Sequence, residues 1–307
     1  MPRYALTIAY DGTDFCGWQK QEPTAQHAAG TGSMKHVEPS LVAGDPSRVA
    51  LRTVQAVVEK AVREVVREPV VVFGASRTDS GVHARGQVAA FTSTDDPERV
   101  ARGEGWPESR GVEALLRAVN GRLPADVLAT SARLVPGGFD PVADCVSKGY
   151  SYTILASRTR PLWDRAFIHQ VWEPLDLDRM RAAAEMLKGE HDFAAFAAAG
   201  HGRLSTVRRI LACTVAQIPV PGEPAEEDRR PAEGPCVMPS GQRYRIDVSG
   251  SGFLWNMVRI IAGTIVEAGR GRLSVDDVKA ALATGDRRLA GPTLPACGLC
   301  LEWIRYG

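Results

Sequence analysis

The spacing of apolar residues changes along this 307-residue chain, and each change marks an element. Residues 4–9 alternate, which predicts a strand with side chains on opposite faces. Val54, Val57, Val58, Ala61, Val62, Val65 and Val66 then recur at three-and-four spacing, predicting an amphipathic helix. Residues 70–73 form a short β-branched apolar run, and residues 87–92 are strand-like again. Leu115 to Val119 close a helix, residues 127–134 read as a strand, and Pro136-Gly137-Gly138 suits a domain boundary. The second half opens with strands at 150–155 and 168–172 and a helix at 177–187. Residues 210–218 and 244–248 alternate and predict an antiparallel pair. Residues 255–268 predict a buried helix, and Ser274 caps another whose early Asp276 and Asp277 suit the helix dipole. Residues 299–304 predict a closing strand.

Two stretches carry no such period. Residues 22–50 are rich in Gly, Ala, Pro and His, and residues 219–241 in Pro, Gly and Glu; both read as inserted surface loops, the second joining the antiparallel pair. Strands and helices mix in two comparable halves, which predicts an α+β architecture with domains 1–137 and 138–307. An apolar content of 44% fills substantial cores, while a net charge of +1 leaves any nucleic-acid contact to a local patch. Six cysteines are too few for a disulfide scaffold in a chain of this length, which fits a reducing cytoplasm. The first residues lack the apolar core of a signal peptide, and no run approaches the ~20 apolar residues of a membrane span. The expectation is a soluble cytoplasmic protein.

Three features bear on chemistry. Asp79 stands between two strand-like runs, on a loop held at the rim of a sheet. Local chemistry alone leaves two readings open, a simple turn in which Gly81 takes positive φ, or a catalytic acid. Arg259 is surrounded by Phe253, Leu254, Trp255, Met257, Val258, Ile260 and Ile261, and a charge in apolar surroundings needs a partner. Cys297 and Cys300 form one Cys-x-x-Cys, only two of the four ligands of a structural zinc site, and no second such pair exists, so no metal site is expected.

Longer strings carry more. Tyr10-Asp11-Gly12-Thr13 with Phe15-Cys16-Gly17-Trp18-Gln19 comes first, followed by Thr53-Val54-Gln55 and then Gly74-Ala75-Ser76-Arg77-Thr78-Asp79-Ser80-Gly81-Val82-His83-Ala84. Asn120-Gly121-Arg122-Leu123-Pro124, Lys148-Gly149-Tyr150-Ser151-Tyr152, Gly252-Phe253-Leu254-Trp255-Asn256-Met257-Val258-Arg259 and Pro295-Ala296-Cys297-Gly298-Leu299 follow. In this order, from first strand to last, the chain resembles the tRNA pseudouridine synthase A family.

The resemblance implies two mixed halves, each with a mainly antiparallel sheet and packed helices, flanking a central RNA-binding cleft. It implies isomerisation of uridine to pseudouridine at tRNA positions 38, 39 and/or 40 in the anticodon stem-loop, without metal or redox cofactor, by a homodimer that holds tRNA across both subunits. Asp79 matches the catalytic acid; as nucleophile or as base at the sugar, an ionised Asp serves either route. Tyr150 matches the tyrosine beside the uracil and Arg259 the active-site arginine. Arg77 is expected to bind phosphate and help displace the base, since the target must leave its stack. His83, Arg85, Lys148 and Arg208 are expected to form a basic rim, positioning RNA without reading its sequence. Two positions depart from the family pattern: Val142 stands where an arginine is common and Ala143 where an aromatic is. An RNA-binding protein without activity is the competing class, and the joint retention of Asp79, Tyr150 and Arg259 speaks against it.

Overall fold

The computed structural model describes residues 1–30, 37, 47–198, 205–220 and 241–307. Its elements are β1 (Arg3–Tyr10), α1 (Ala25–Gly30), α2 (Val54–Val66), β2 (Phe73–Gly74), β3 (His83–Thr92), α3 (Pro97–Ala101), α4 (Val112–Asn120), β4 (Val127–Val135), β5 (Cys145–Ala156) and β6 (His169–Val171). They continue with α5 (Leu177–Met186), β7 (Gly189–Asp192), β8 (Val207–Ile218), β9 (Gln242–Gly250), α6 (Met257–Gly269), α7 (Val275–Thr284) and β10 (Leu299–Tyr306). The chain divides into two units, Met1–Lys148 with Cys300–Gly307, and Gly149–Leu299. Strand pairing is mainly antiparallel, so the protein is a mixed α/β fold with an antiparallel bias.

In the first unit the strand order is β4-β1-β3-β10, with β2 on β3. The alternation that predicts β1 is the burial of Tyr4, Leu6, Ile8 and Tyr10, each no more than 5% exposed. β10 runs parallel to β3, setting Cys300 opposite His83. Helix α2 buries Val54, Val58, Ala61, Val62 and Val66 and packs on α4, which packs on β4.

The apolar stripe of α2 also contains Glu59, 3% exposed. Its Oε1 accepts from Lys20 Nζ and pairs with Arg63, each at 2.8 Å, and its Oε2 accepts from Val72 N at 3.1 Å. Gln55 Nε2 donates to Val72 O at 2.8 Å and Arg63 Nε to Val70 O at 2.7 Å. This explains why the strand expected at 70–73 is reduced to Phe73–Gly74. Side chains of α2 take the backbone groups that a strand partner would otherwise hold.

In the second unit the order is β5-β9-β8-β7, with β6 parallel on β5. β8 and β9 are the expected antiparallel pair, with Ile218 opposite Arg243. Helix α6 is buried almost all round and packs on α5. It begins at Met257, two residues later than its apolar run, because Asn256 is left-handed with φ 59° and ends the preceding turn. Ser274 and Asp277 form a reciprocal capping box at the start of α7.

The loop expected at 22–50 is anchored at its ends: Thr24 pairs with Arg48, Val37 pairs with Leu51, and Ala28 is buried beside Cys16 and Leu51. Its residues 31–36 and 38–46, and 221–240 of the second insertion, lie outside the described residues. Among the described residues no helix is long and apolar enough to cross a membrane.

Replacing Glu59 by Ala leaves the buried Val72 N–H without its acceptor. We expect a loss of about 1–3 kcal/mol in urea unfolding; an unchanged midpoint would contradict this account of α2.

Candidate active site

Asp79 is half-buried on the connection between β2 and β3. The turn is closed by Val82 N donating to Asp79 O at 3.1 Å, and Gly81 takes φ 78°. Ahead of it, Gln87 pairs with the backbone of Ser76 through both ends of its amide, accepting from N at 3.1 Å and donating to O at 2.6 Å. Gln87 is fully buried on β3, so the start of the loop is fixed to the sheet.

The segment after β1 grips the loop from the other side. Trp18 N donates to Thr78 O at 3.0 Å, Gly81 N to Phe15 O at 3.3 Å, and Ser80 Oγ to the same Phe15 oxygen at 3.0 Å. The hydroxyls of Tyr10 and Thr78 share a hydrogen bond of 2.8 Å. Two glycines make this approach possible. A Cβ on Gly12 would run into the carbonyl of Val82, and one on Gly17, where φ is 79°, would stand 2.5 Å from Thr78 O. Arg52 braces the grip: its guanidinium lies 4.0 Å above the Phe15 ring and donates to Asp126 at 2.8 and 3.0 Å.

His83 is 4% exposed, so its ring belongs to this frame. Its Nδ1 accepts from Gly12 N at 3.0 Å, with Asp11 Oδ1 3.2 Å away. Where Nδ1 accepts from the Gly12 N–H, the ring carries its proton on Nε2. Arg77 is exposed, and Arg85 is exposed on β3 with a guanidinium nitrogen 3.3 Å from Glu302 of β10. Lys148 is half-buried, its Nζ 3.4 Å from both Ala75 O and Ser76 Oγ, so it holds the start of the Asp79 loop.

The remaining sequence-predicted residues belong to the second unit. Tyr150, on β5, is 7% exposed and meets Phe253 edge-on, with centroids 5.2 Å apart at 87°. Arg259, in the first turn of α6, donates from Nε to Leu294 O at 2.6 Å and from NH1 to Asn256 Oδ1 at 2.8 Å. These acceptors orient a guanidinium that emerges from apolar surroundings. Arg208, on β8, donates to Ser205 O at 3.0 Å and Val207 O at 2.6 Å. Tyr152 is fully buried and donates to Pro295 O at 2.7 Å, and burial pushes its hydroxyl well above the ordinary tyrosine value.

Cys297 donates to Ile168 O at 3.5 Å and Gly298 lies against the Tyr152 ring, so these two residues serve the packing around β5. Among the described residues no group of three or more His, Cys, Asp or Glu is arranged to hold a metal ion. Val142 and Ala143 donate their N–H groups to Asp140 on an exposed turn, and the Ala143 bond, then the Val142 bond, hold the Asp140 carboxyl below its ordinary range. The parts that reasoning from sequence missed are the clamp residues Gln87, Arg52 and Asp126. Nothing in their local pattern marks them, because each acts on a segment distant in the chain.

Residues 183–307 match the family model described as tRNA pseudouridine synthase. tRNA pseudouridine synthase A of Pelobacter propionicus is 37% identical over 301 residues, which span 98% of this chain and 98% of its own. The protein of that name from Solidesulfovibrio magneticus is 39% identical over all of this chain and 92% of its own, and that from Clostridium acetobutylicum 33% identical over the whole of both. The crystal structure of the archaeal box H/ACA sRNP Nop10-Cbf5 complex aligns with 77% of this chain and 55% of that one, at 9% identity and a TM-score of 0.27, too slight a likeness to inform the fold. With identity of 33 to 39% sustained from end to end, the chain belongs to the tRNA pseudouridine synthase A family.

Proposed function

We propose that the chain is a tRNA pseudouridine synthase that isomerises uridines of the anticodon stem-loop, at positions 38, 39 and/or 40, with Asp79 as its catalytic carboxylate. The observation that carries the reading is the clamp: a half-buried acid on a loop fixed from both sides, in a chain alike from end to end with tRNA pseudouridine synthases. A catalytic group needs such fixed geometry, whereas a simple connecting turn does not.

The reaction breaks the bond from C1′ to N1 of uracil, turns the base over, and forms a bond from C1′ to C5. C5 loses its proton and N1 gains one, so no electrons are exchanged and no redox cofactor is required. An ionised Asp79 acts on the sugar, as nucleophile at C1′ or as base, and the reading holds for both routes. Tyr150 and Arg259 are assigned to the uracil pocket. The tyrosine lies beside the base, and the arginine pairs with the carboxylate, keeping it ionised and oriented. In this reading two α/β halves flank an RNA-binding cleft. Arg77 binds phosphate and helps displace the base, and Arg85 and Arg208 hold the RNA backbone. Lys148 and the buried His83 act chiefly by supporting the Asp79 loop rather than as an open rim. The active form is a homodimer.

Tritium release from tRNA labelled at uridine C5 tests the assignment. Wild type is expected to release label and Asp79→Asn to release none while still binding tRNA; absence of release by both would leave an RNA-binding protein. Gly17→Ala shifts the loop, and we expect kcat to fall by about 100-fold with tRNA affinity nearly unchanged. Light scattering at micromolar concentration should report a dimer, and a monomer would remove that part of the reading. Affinity for tRNA should fall log-linearly with salt, with a slope of about −0.9 per phosphate contacted; a flat response would remove the phosphate assignments.

A further inference from the structure

On the helical side of the first unit, a cavity of about 630 Å³ is bounded by the C-terminal end of α2, by α3 and by α4 with the turn that follows it. Its charged lining is Arg67, Arg110, Arg117, Arg122 and Glu64, a formal excess of three positive charges in a chain whose net charge is +1. Arg122 approaches Glu64 at 3.9 Å, and among the described residues the lining offers no second carboxylate to the other three arginines. Glu104, close by in the chain, is committed to Arg99 at 2.8 Å and Arg102 at 3.7 Å.

The arginines are held by structure on one side of the cavity. Arg110 lies 4.1 Å above the ring of Trp106, which is 4% exposed and whose Nε1 donates to Gly111 O at 3.1 Å. Arg67 is in the left-handed region at φ 52°, just past the end of α2, and its N–H caps Arg63 O at 2.8 Å. That conformation is uncommon for a residue other than glycine, and the end of the helix fixes where the side chain leaves the backbone. Guanidiniums stay charged at any physiological pH and present forked donors that match phosphate oxygens in pairs. The volume lies in the range of ligand sites, but a lining rich in arginine suits an anion rather than an apolar molecule.

We propose that this cavity is a phosphate-binding site separate from Asp79. Its ligand carries two or more phosphate groups, supplied by the backbone of a bound RNA or by a free polyphosphate compound. Arg67 and Arg117 reach it from opposite helices, and Arg110 and Arg122 complete the donor set. The inference rests on the cavity's own charge and stands apart from the assignment of Asp79.

The test is a calorimetric titration of the full chain with inorganic tripolyphosphate, comparing wild type with the double variant Arg67→Gln/Arg117→Gln. Both side chains are exposed, so the thermal midpoint should hold, and Arg67→Lys/Arg117→Lys, which keeps charge but loses the fork, should bind with intermediate strength. Wild type is expected to bind tripolyphosphate stoichiometrically and the Gln variant roughly tenfold more weakly or worse. If tripolyphosphate competes with tRNA and the Gln variant lowers the salt slope of tRNA binding by about two, RNA supplies the phosphates. Weakened tripolyphosphate binding with unchanged tRNA affinity identifies a free compound. A Gln variant that binds both tripolyphosphate and tRNA as wild type does overturns the proposal. A chain that releases no label but binds tripolyphosphate through these arginines would sink the synthase reading and leave this one standing.

Discussion

The first unit depends on how closely two stretches of backbone meet. The segment after β1 and the loop carrying Asp79 exchange hydrogen bonds through Trp18 N, Gly81 N and Phe15 O, which requires main chain against main chain with no side chain between. Gly12 and Gly17 supply that space, and the buried Phe15 and Trp18 hold the segment down. The position of Asp79 is therefore not a property of its own loop. It is set jointly by β1, by β3 through Gln87, and by the Arg52–Asp126 pair that steadies the Phe15 ring. A carboxylate held this way keeps its geometry without needing rigidity in its own turn.

Periodicity made the regular elements legible where burial is one-sided. β1, α2, α5, the β8–β9 pair and the capped α7 fall where alternation or three-and-four spacing sets them, because side-chain direction and burial share one period there. The failures have identifiable physical causes. Residues 70–72 carry strand-like side chains, but their backbone groups bond to Gln55, Glu59 and Arg63 of α2. Helix α6 starts late because Asn256 is left-handed, which an apolar run cannot reveal. β7, a four-residue strand of polar sequence, has no period to read and forms because β8 offers it an edge.

The candidate site was legible in a different way. The strings that resemble a family single out Asp79, Tyr150 and Arg259 as candidates, while residue chemistry alone left Asp79 divided between turn and catalyst. The buried His83 illustrates the limit: its type reads as basic and surface-bound, but its surroundings make it an acceptor for Gly12 N. The net charge of +1 conceals a similar inequality, since the arginines around the α2–α4 cavity are balanced by acids elsewhere in the chain. Averages over a sequence cannot show where charge collects, because folding decides which residues become neighbours.

The first unit is discontinuous in sequence: residues 300–307 belong with residues 1–148, and β10 lies parallel to β3 with Cys300 opposite His83. During synthesis the whole of the second unit leaves the ribosome before that strand does. For this interval the nascent β3 has β1 on one side, while on the other only the short β2 covers it, at Ala89 and Ala90, and the edge at His83 and Ala84 stays open, the kind of edge that invites pairing with a foreign strand. The strand that leads out of the Asp79 loop thus receives its parallel partner β10 only after the second unit has been made.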